Sequence, residues 1–111
     1  CRILEVEFEE VDSKKRLHYH LAASFANNFT NHILSLTDEL VNKFKLEKKF
    51  FIPIANETFK KFQSNKSKES QTGPAVRNDV KTLKKHEEIL KKSNYLNLYK
   101  IITKSIKKND L

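Results

Sequence analysis

One stretch limits what this chain can fold into: residues 16–31 combine an apolar sequence with polar side chains at helical spacing. At about 100° per residue, the large apolar side chains that recur from Leu17 to Phe29 lie on one helix face. A helix that is apolar over most of its circumference is usually buried, and buried polar groups need hydrogen-bond partners. The stretch therefore predicts a buried helix whose polar stripe meets another polar group. The stripe consists of His20, Ser24, Asn27, Asn28 and Asn31.

This helix is predicted to be long. Asp12 or Ser13 can cap its start, and the apolar pattern continues to Phe44 or Lys45. About 32 residues that rise about 1.5 Å each give roughly 48 Å, whereas a compact chain of this length is some 30 to 35 Å across. We therefore expect the helix to bend or to extend into a partner, and we expect that partner to be a second copy of the chain.

Composition and the remaining apolar pattern favour a mainly α fold. The chain has one glycine and two prolines among its 111 residues, so it has few residues specialised for tight turns. A second helix is predicted over residues 53–63, and the polar residues 64–70 predict a loop. Two further amphipathic helices are predicted, one over residues 80–92 and one over residues 95–106.

The beginning of the chain has a different pattern. Residues 3–11 alternate apolar and acidic side chains, which is the period of a half-buried β-strand, and no second strand of this quality follows. A single strand leaves its backbone groups without ladder partners. We therefore interpret residues 1–12 as a strand or linker from a preceding domain that is missing here, and residues 13–111 as a helical domain.

Several classes of protein do not fit this sequence. It has no apolar run of the roughly 18 residues that a membrane span needs, and its single cysteine cannot form a disulfide within the chain, so we predict a cytoplasmic protein. One glycine allows neither a dinucleotide-binding fingerprint nor a phosphate loop, so this chain alone is not expected to bind NAD(P). His18, His32 and His86 lack the spacing of metal ligands, and we predict no metal site.

Positive charge is concentrated in the second part of the chain. Residues 1–40 contain four basic and seven acidic residues, whereas residues 41–111 contain eighteen basic and seven acidic residues. A basic region can bind nucleic acid. Of the 22 basic residues in the whole chain, however, nineteen are lysines and only three are arginines. Base recognition and bidentate phosphate contacts favour arginine, so a solvated lysine surface is the preferred interpretation.

Two groups of residues are candidates for chemistry. In the polar stripe, His20 is the one side chain that can transfer a proton near neutral pH, and the amides can orient a ligand. Residues 71–79 form the second group, in which Gly73 permits an unusual backbone and Arg77 offers a fork for a carboxylate or phosphate. Both groups also have structural interpretations: the stripe can bond helix ends, Asp79 can cap a helix, and Arg77 can pair with an acid.

The motifs resemble a known family. The chain resembles the C-terminal helical domain catalogued as domain of unknown function 2520, which follows a Rossmann-like domain in bacterial proteins classed as NAD(P)-dependent oxidoreductases. The resemblance covers about residues 12–107, and residues 71–79 are its most specific part. The matching residues are Arg16, His20, Ala22, Ala23, Asn27, Asn28, Phe29, Pro53, Glu57, Thr58, the run QTGPA at 71–75, Arg77, Asp79, Tyr99 and Ile106.

The resemblance implies a fold similar to the C-terminal domain of 6-phosphogluconate dehydrogenase, in which helices build a dimer and line a cleft facing the nicotinamide. It implies NAD(P) as cofactor of the longer parent protein, without distinguishing NAD from NADP, and Arg77 suggests a small anionic substrate. His20 would then be catalytic, and Asp79 would cap a helix. The expected substrate-binding residues are Ser24, Asn27, Asn28, Asn31, Gln71, Thr72, Gly73 and Arg77.

Two other functions remain open from the sequence. The chain could be a helical interaction module without chemistry, in which the polar stripe sets the register of packed helices. Nucleic-acid binding through the lysine-rich part is a more distant alternative, and it predicts affinity that falls steeply with salt.

Overall fold

A computed structural model describes residues 12–108, and every regular element in that range is helical. The predicted mainly α fold is therefore confirmed. The predicted strand at residues 3–11 lies outside the described residues. The elements are α1 (Ser13–Ala23), a π-helical turn (Ser24–Phe29), α2 (Thr30–Phe44), a short 3-10 helix (Lys48–Phe50), α3 (Ile52–Gln63), α4 (Val80–Leu90) and α5 (Leu96–Lys108).

The predicted long helix is confirmed in its limits, but its interior is not regular. Asp12 caps α1, because its Oδ1 accepts a hydrogen bond of 2.7 Å from the backbone N–H of Lys15. Between α1 and α2, the π-helical turn replaces bonds to the fourth preceding residue with bonds to the fifth. The hydroxyl of Thr30 also donates to the carbonyl of Phe25, five residues earlier, at 2.8 Å.

α2 ends at a residue in the left-handed region. Lys45 has φ 54° and ψ 46°, a conformation that glycine adopts more easily than lysine. The N–H of Leu46 donates to the carbonyl of Val41 at 2.9 Å, so one of the last carbonyls of the helix is satisfied. Pro53 then lies in the first turn of α3, where its missing N–H breaks no helical bond.

The chain divides into two units, Cys1–Ile54 and Ala55–Leu111, and each is described by itself. In the first unit, Val41 is the buried hydrophobic residue of the described part. In the second unit, Leu83 of α4 is 5% exposed and Ala75 is 7% exposed, and α4 packs against α5. The described core is therefore small in both units.

The predicted burial of the helix over residues 16–31 is wrong for this chain. Leu17 is 69% exposed, Leu21 61% and Phe25 62%, and the described polar residues of the stripe are also accessible. The apolar pattern correctly indicates a surface that favours burial, but no described element of the chain covers it. Helical periodicity shows which face is apolar and does not show which molecule covers that face, so burial by a partner stays a prediction.

Candidate functional site

The π-helical turn lies within the predicted polar stripe. Ser24, Asn27 and Asn28 belong to the turn, whereas His20 lies in the last turn of α1 and Asn31 in the first turn of α2. The hydroxyl of Ser24 donates to the carbonyl of His20 at 3.1 Å. Each π-helical bond encloses one residue more than an α-helical bond, so the side chains on either side of the turn are offset from regular α-helical positions. The single straight stripe predicted from a spacing of 100° is therefore wrong in detail.

The sequence predicted that the polar side chains of the stripe need hydrogen-bond partners because they are buried. The structure removes this reason, because these side chains are not buried. No side-chain nitrogen or oxygen atom of the described residues is both buried and without a hydrogen bond, and the stripe itself is accessible to solvent. Exposed amides can bond to water, so their presence no longer requires a polar group opposite them. What remains is a π-helical turn that carries a hydroxyl and two amides, a type of irregularity that occurs frequently at functional sites.

Residues 71–79 fold into a compact turn held by backbone bonds. The N–H of Arg77 donates to the carbonyl of Gly73 at 3.3 Å, and the N–H of Asp79 donates to the carbonyl of Pro74 at 2.8 Å. Gly73 has φ 104°, a conformation that other residues adopt only with strain, and a Cβ placed on it would meet no atom within 4 Å. A glycine is therefore favoured at position 73 by the backbone conformation, and not because another described atom lies too close for a side chain.

Asp79 has the structural role that was predicted for it. Its carboxylate accepts the N–H of Thr82 at 3.2 Å and the hydroxyl of Thr82 at 2.7 Å, which caps α4. The hydroxyl and the backbone N–H of Thr82 lower the pKa of Asp79, and the positive charge of Arg77 lowers it further.

Arg77 does not form the ion pair that was its structural interpretation. Its side chain is exposed, and within residues 12–108 no carboxylate lies within 4.0 Å of its guanidinium. Its charge influences Asp79 without a direct bridge. The fork of Arg77 therefore remains available to an anion that the described residues do not provide.

Two shallow cavities lie beside this turn and along α5. One, of about 280 Å³, is lined by Ala75, Val76 and Asn78 of the turn and by Ile106 and Lys107 of α5. The other, of about 190 Å³, lies along α4 and α5 and shares Lys107 with the first. The predicted binding residues Gln71, Thr72 and Arg77 line neither cavity, and the amide of Gln71 donates to the carbonyl of Thr72 at 3.2 Å.

A pair of titratable residues between α4 and α5 was missed from the sequence. Nδ1 of His86 and the hydroxyl of Tyr99 lie 2.7 Å apart, and their rings meet edge to face with centroids 5.7 Å apart. Burial raises the pKa of Tyr99, and the negative charge of Glu87 raises it further. The two residues are thirteen positions apart on different helices, so no local spacing could have indicated the bond.

The two predicted groups of site residues lie in different units. His20 and the stripe belong to the first unit, and residues 71–79 belong to the second. A cavity shared by His20, Asn28 and Arg77 therefore remains a prediction. Within residues 12–108, no cluster of three or more histidine, cysteine or acidic side chains could hold a metal ion. No described helix combines the length and apolar character required to cross a membrane.

Comparison with known proteins places this chain in a family. The family model described as Domain of unknown function (DUF2520) matches residues 1–106. The crystal structure of a putative NADP oxidoreductase from Bacteroides fragilis is similar with a TM-score of 0.83 and 36% sequence identity over 88% of this chain. The matched region is 38% of that protein's chain. Among curated proteins, no match was found.

Proposed function

This chain belongs to the family of domain of unknown function 2520, and we propose that it is the C-terminal helical domain of an NADP-dependent oxidoreductase. In this role it provides a dimer interface and part of the substrate cleft. The observation that carries the proposal is the similarity to the Bacteroides fragilis protein, because 36% identity over 88% of this chain accompanies a shared fold. The matched region is 38% of that chain, which leaves room in a longer parent protein for a cofactor domain.

NADP would bind in the parent outside this chain, since the one glycine here cannot form a dinucleotide-binding loop. The bound cofactor would supply or accept a hydride. The residues of this chain would bind and orient the substrate and move a proton. A division of this kind is consistent with a helical domain whose described residues include exposed polar groups.

The candidate residues suggest separate roles. Arg77 has no carboxylate partner among the described residues, so its guanidinium would hold a carboxylate or phosphate of a small substrate. Asn28, Ser24 and Thr72 would orient that substrate through hydrogen bonds, with Asn27, Asn31 and Gln71 at the edges of the cleft. His20 would donate or accept the proton that accompanies hydride transfer.

Exposed apolar side chains support the dimer. Leu17, Leu21, Phe25 and Phe29, which we call the apolar ridge, are each more than half exposed, and the rings of Phe25 and Phe29 contact each other edge to face at 5.0 Å. A continuous apolar surface of this kind is typical of an interface. A second copy of the chain would cover the ridge, and a concentration-independent monomer mass in light scattering would contradict this part of the proposal.

NADPH titration of the full-length protein tests the cofactor assignment. We expect saturable binding, seen as a change in nicotinamide fluorescence, by the full-length protein and none by the chain of 111 residues. If the full-length protein does not bind NADPH, the oxidoreductase proposal fails.

Substitution in the full-length protein tests the site. With glyoxylate and pyruvate as anionic carbonyl probes, Arg77→Gln is expected to raise KM, because it removes the charge that holds the carboxylate. Lys68→Gln is the matched control, since it removes one positive charge from an exposed turn outside the proposed cleft. Asn28→Ala should lower turnover without changing NADPH binding. Intact turnover with lowered stability in both site variants would instead favour a helical interaction module.

A further inference from the structure

A shallow groove along α4 and α5 combines an apolar base with hydroxyl groups and lysines. Leu83, which is 5% exposed, lies at its base, and Tyr99 and Thr103 of α5 contribute hydroxyls. Lys100, Lys104 and Lys107 line the same groove from α5. They occur at intervals of four and three residues, which places them along one side of that helix.

The charge of the groove is not balanced by the residues around it. Glu87 is the one acidic residue that lines it, and Glu87 already pairs with Lys100 at 3.7 Å. Lys104 and Lys107 have no carboxylate within 4.0 Å in the described part of the chain. The surrounding residues 80–108 contain nine lysines and two glutamates, so the local potential favours an anion.

The bond between His86 and Tyr99 holds the hydroxyl of a residue that lines this groove. When Nδ1 of His86 carries the proton, it donates to the oxygen of Tyr99, and the Tyr99 hydroxyl can then donate to a ligand. The hydroxyl of Thr103 forms a hydrogen bond with the side chain of Tyr99, which lowers the pKa of Tyr99. The groove thus offers one hydroxyl donor beside two lysines, all within the second unit.

We propose that this groove binds a small organic phosphate, with Lys104 and Lys107 as the cationic contacts and Tyr99 as a hydrogen-bond donor. A phosphate has several terminal oxygens, which match donors on more than one side better than a carboxylate does. The cavity of about 190 Å³ is smaller than a typical cofactor pocket, so the ligand is compact. Its apolar part packs on Leu83 and on the ring of Tyr99.

The residues of the groove differ from those assigned to the proposed oxidoreductase cleft. It uses neither His20 nor Arg77, and its ligand needs no nicotinamide. Binding can be measured with the chain of 111 residues in the absence of NADP. Failure of one proposal therefore does not imply failure of the other.

Phenyl phosphate is a suitable probe, and nuclear magnetic resonance is a suitable readout. Titration at low ionic strength is expected to give saturable shifts at Leu83, Tyr99 and Thr103, with weaker binding of benzoate and no binding of phenol. The double variant Lys104→Gln/Lys107→Gln should weaken the binding of phenyl phosphate about tenfold or more, because two charge-assisted contacts are lost. Tyr99→Phe should weaken it less, since one neutral donor is lost.

The variant Lys60→Gln/Lys61→Gln is the matched control. It removes the same charge from α3 and leaves the groove intact. Unchanged affinity in this variant supports a specific site. Equal weakening in both double variants, shifts that do not saturate, or binding of phenol as tight as that of phenyl phosphate would each overturn the proposal. Tighter binding of benzoate than of phenyl phosphate would overturn the assignment to phosphates.

Discussion

The two units of this chain differ in the burial of their apolar side chains and in the hydrogen bonds of their polar side chains. In the second unit, Leu83 is buried between helices and the polar groups of His86 and Tyr99 satisfy each other across α4 and α5. In the first unit, the apolar ridge is exposed, and the hydroxyl of Ser24 donates to a carbonyl four residues earlier, that of His20. The second unit therefore has a small core of its own, whereas the first unit has an exposed apolar surface of the kind that binds another molecule.

This difference separates two sources of stability. Burial within the second unit contributes to folding in a single chain, because its contacts form whenever the chain folds. Burial of the apolar ridge would contribute only on association, and its effect would depend on protein concentration. The comparison between the units can therefore be tested by substitutions that are alike in chemistry and differ in location.

The largest expected effect is on Leu83. Leu83→Ala removes a side chain that is 5% exposed and is expected to lower the free energy of unfolding by about 2–4 kcal/mol. Leu17→Ala is the matched control, since Leu17 is 69% exposed and should change the stability of a dilute monomer by about 0.5 kcal/mol or less. Urea unfolding measures both. If both substitutions lower the free energy of unfolding of the dilute monomer equally, the two units do not differ in how they bury their leucines.

Two substitutions that change backbone strain should have smaller effects on the free energy of unfolding, and the two effects should have opposite signs. Lys45→Gly should raise the free energy of unfolding by about 0.5–1 kcal/mol, because glycine adopts φ 54° without the steric cost that lysine bears. Gly73→Ala should lower it by about 1 kcal/mol, because alanine is strained at φ 104° although space for its methyl group is available. Thermal unfolding should show the two shifts with opposite signs. A loss of stability in Lys45→Gly would indicate that the lysine side chain has a contact that outweighs the strain.

The smallest expected effect concerns pH. The folded state lowers the pKa of Asp79 below its ordinary value of 3.8, so the unfolded state binds more protons in acid. The stabilising contribution of Asp79 is therefore present above pH 3.8 and is lost as pH falls through the lower pKa of the folded state. Asp79→Asn keeps one capping oxygen and removes the charge, so it should lower the stability slightly at neutral pH, change little in acid, and thereby flatten the acid limb of the stability profile. An unchanged acid limb would contradict this role for Asp79.

The sequence predicts local structure well in this protein because local signals are strong. The capping carboxylates, the apolar spacing and the position of Pro53 predict helix limits close to those of α1 through α5. The cap at Asp79 was also predicted, because a capping residue acts on backbone groups three positions away. The family resemblance depends on the same kind of information, since it is read from residues in order along the chain.

Other features required knowledge of contacts between distant residues. Helical spacing marks the apolar ridge as a surface that favours burial, but it cannot show whether this chain or another covers it. The π-helical turn depends on a change of one residue in hydrogen-bond register, for which residues 24–29 carry no distinctive local pattern. The bond between His86 and Tyr99 also needs two helices to meet.

What the sequence determined by itself was therefore the helices, their caps and the family, because each depends on neighbours in the chain or on residues in order. The tertiary structure decided which apolar side chains are buried, which cations lack a carboxylate partner and which hydroxyls line the groove between α4 and α5. These properties depend on distances between residues that are far apart in sequence. Leu83 and Leu17 are the same amino acid on two helices of this chain, and packing makes one of them core and leaves the other at the surface.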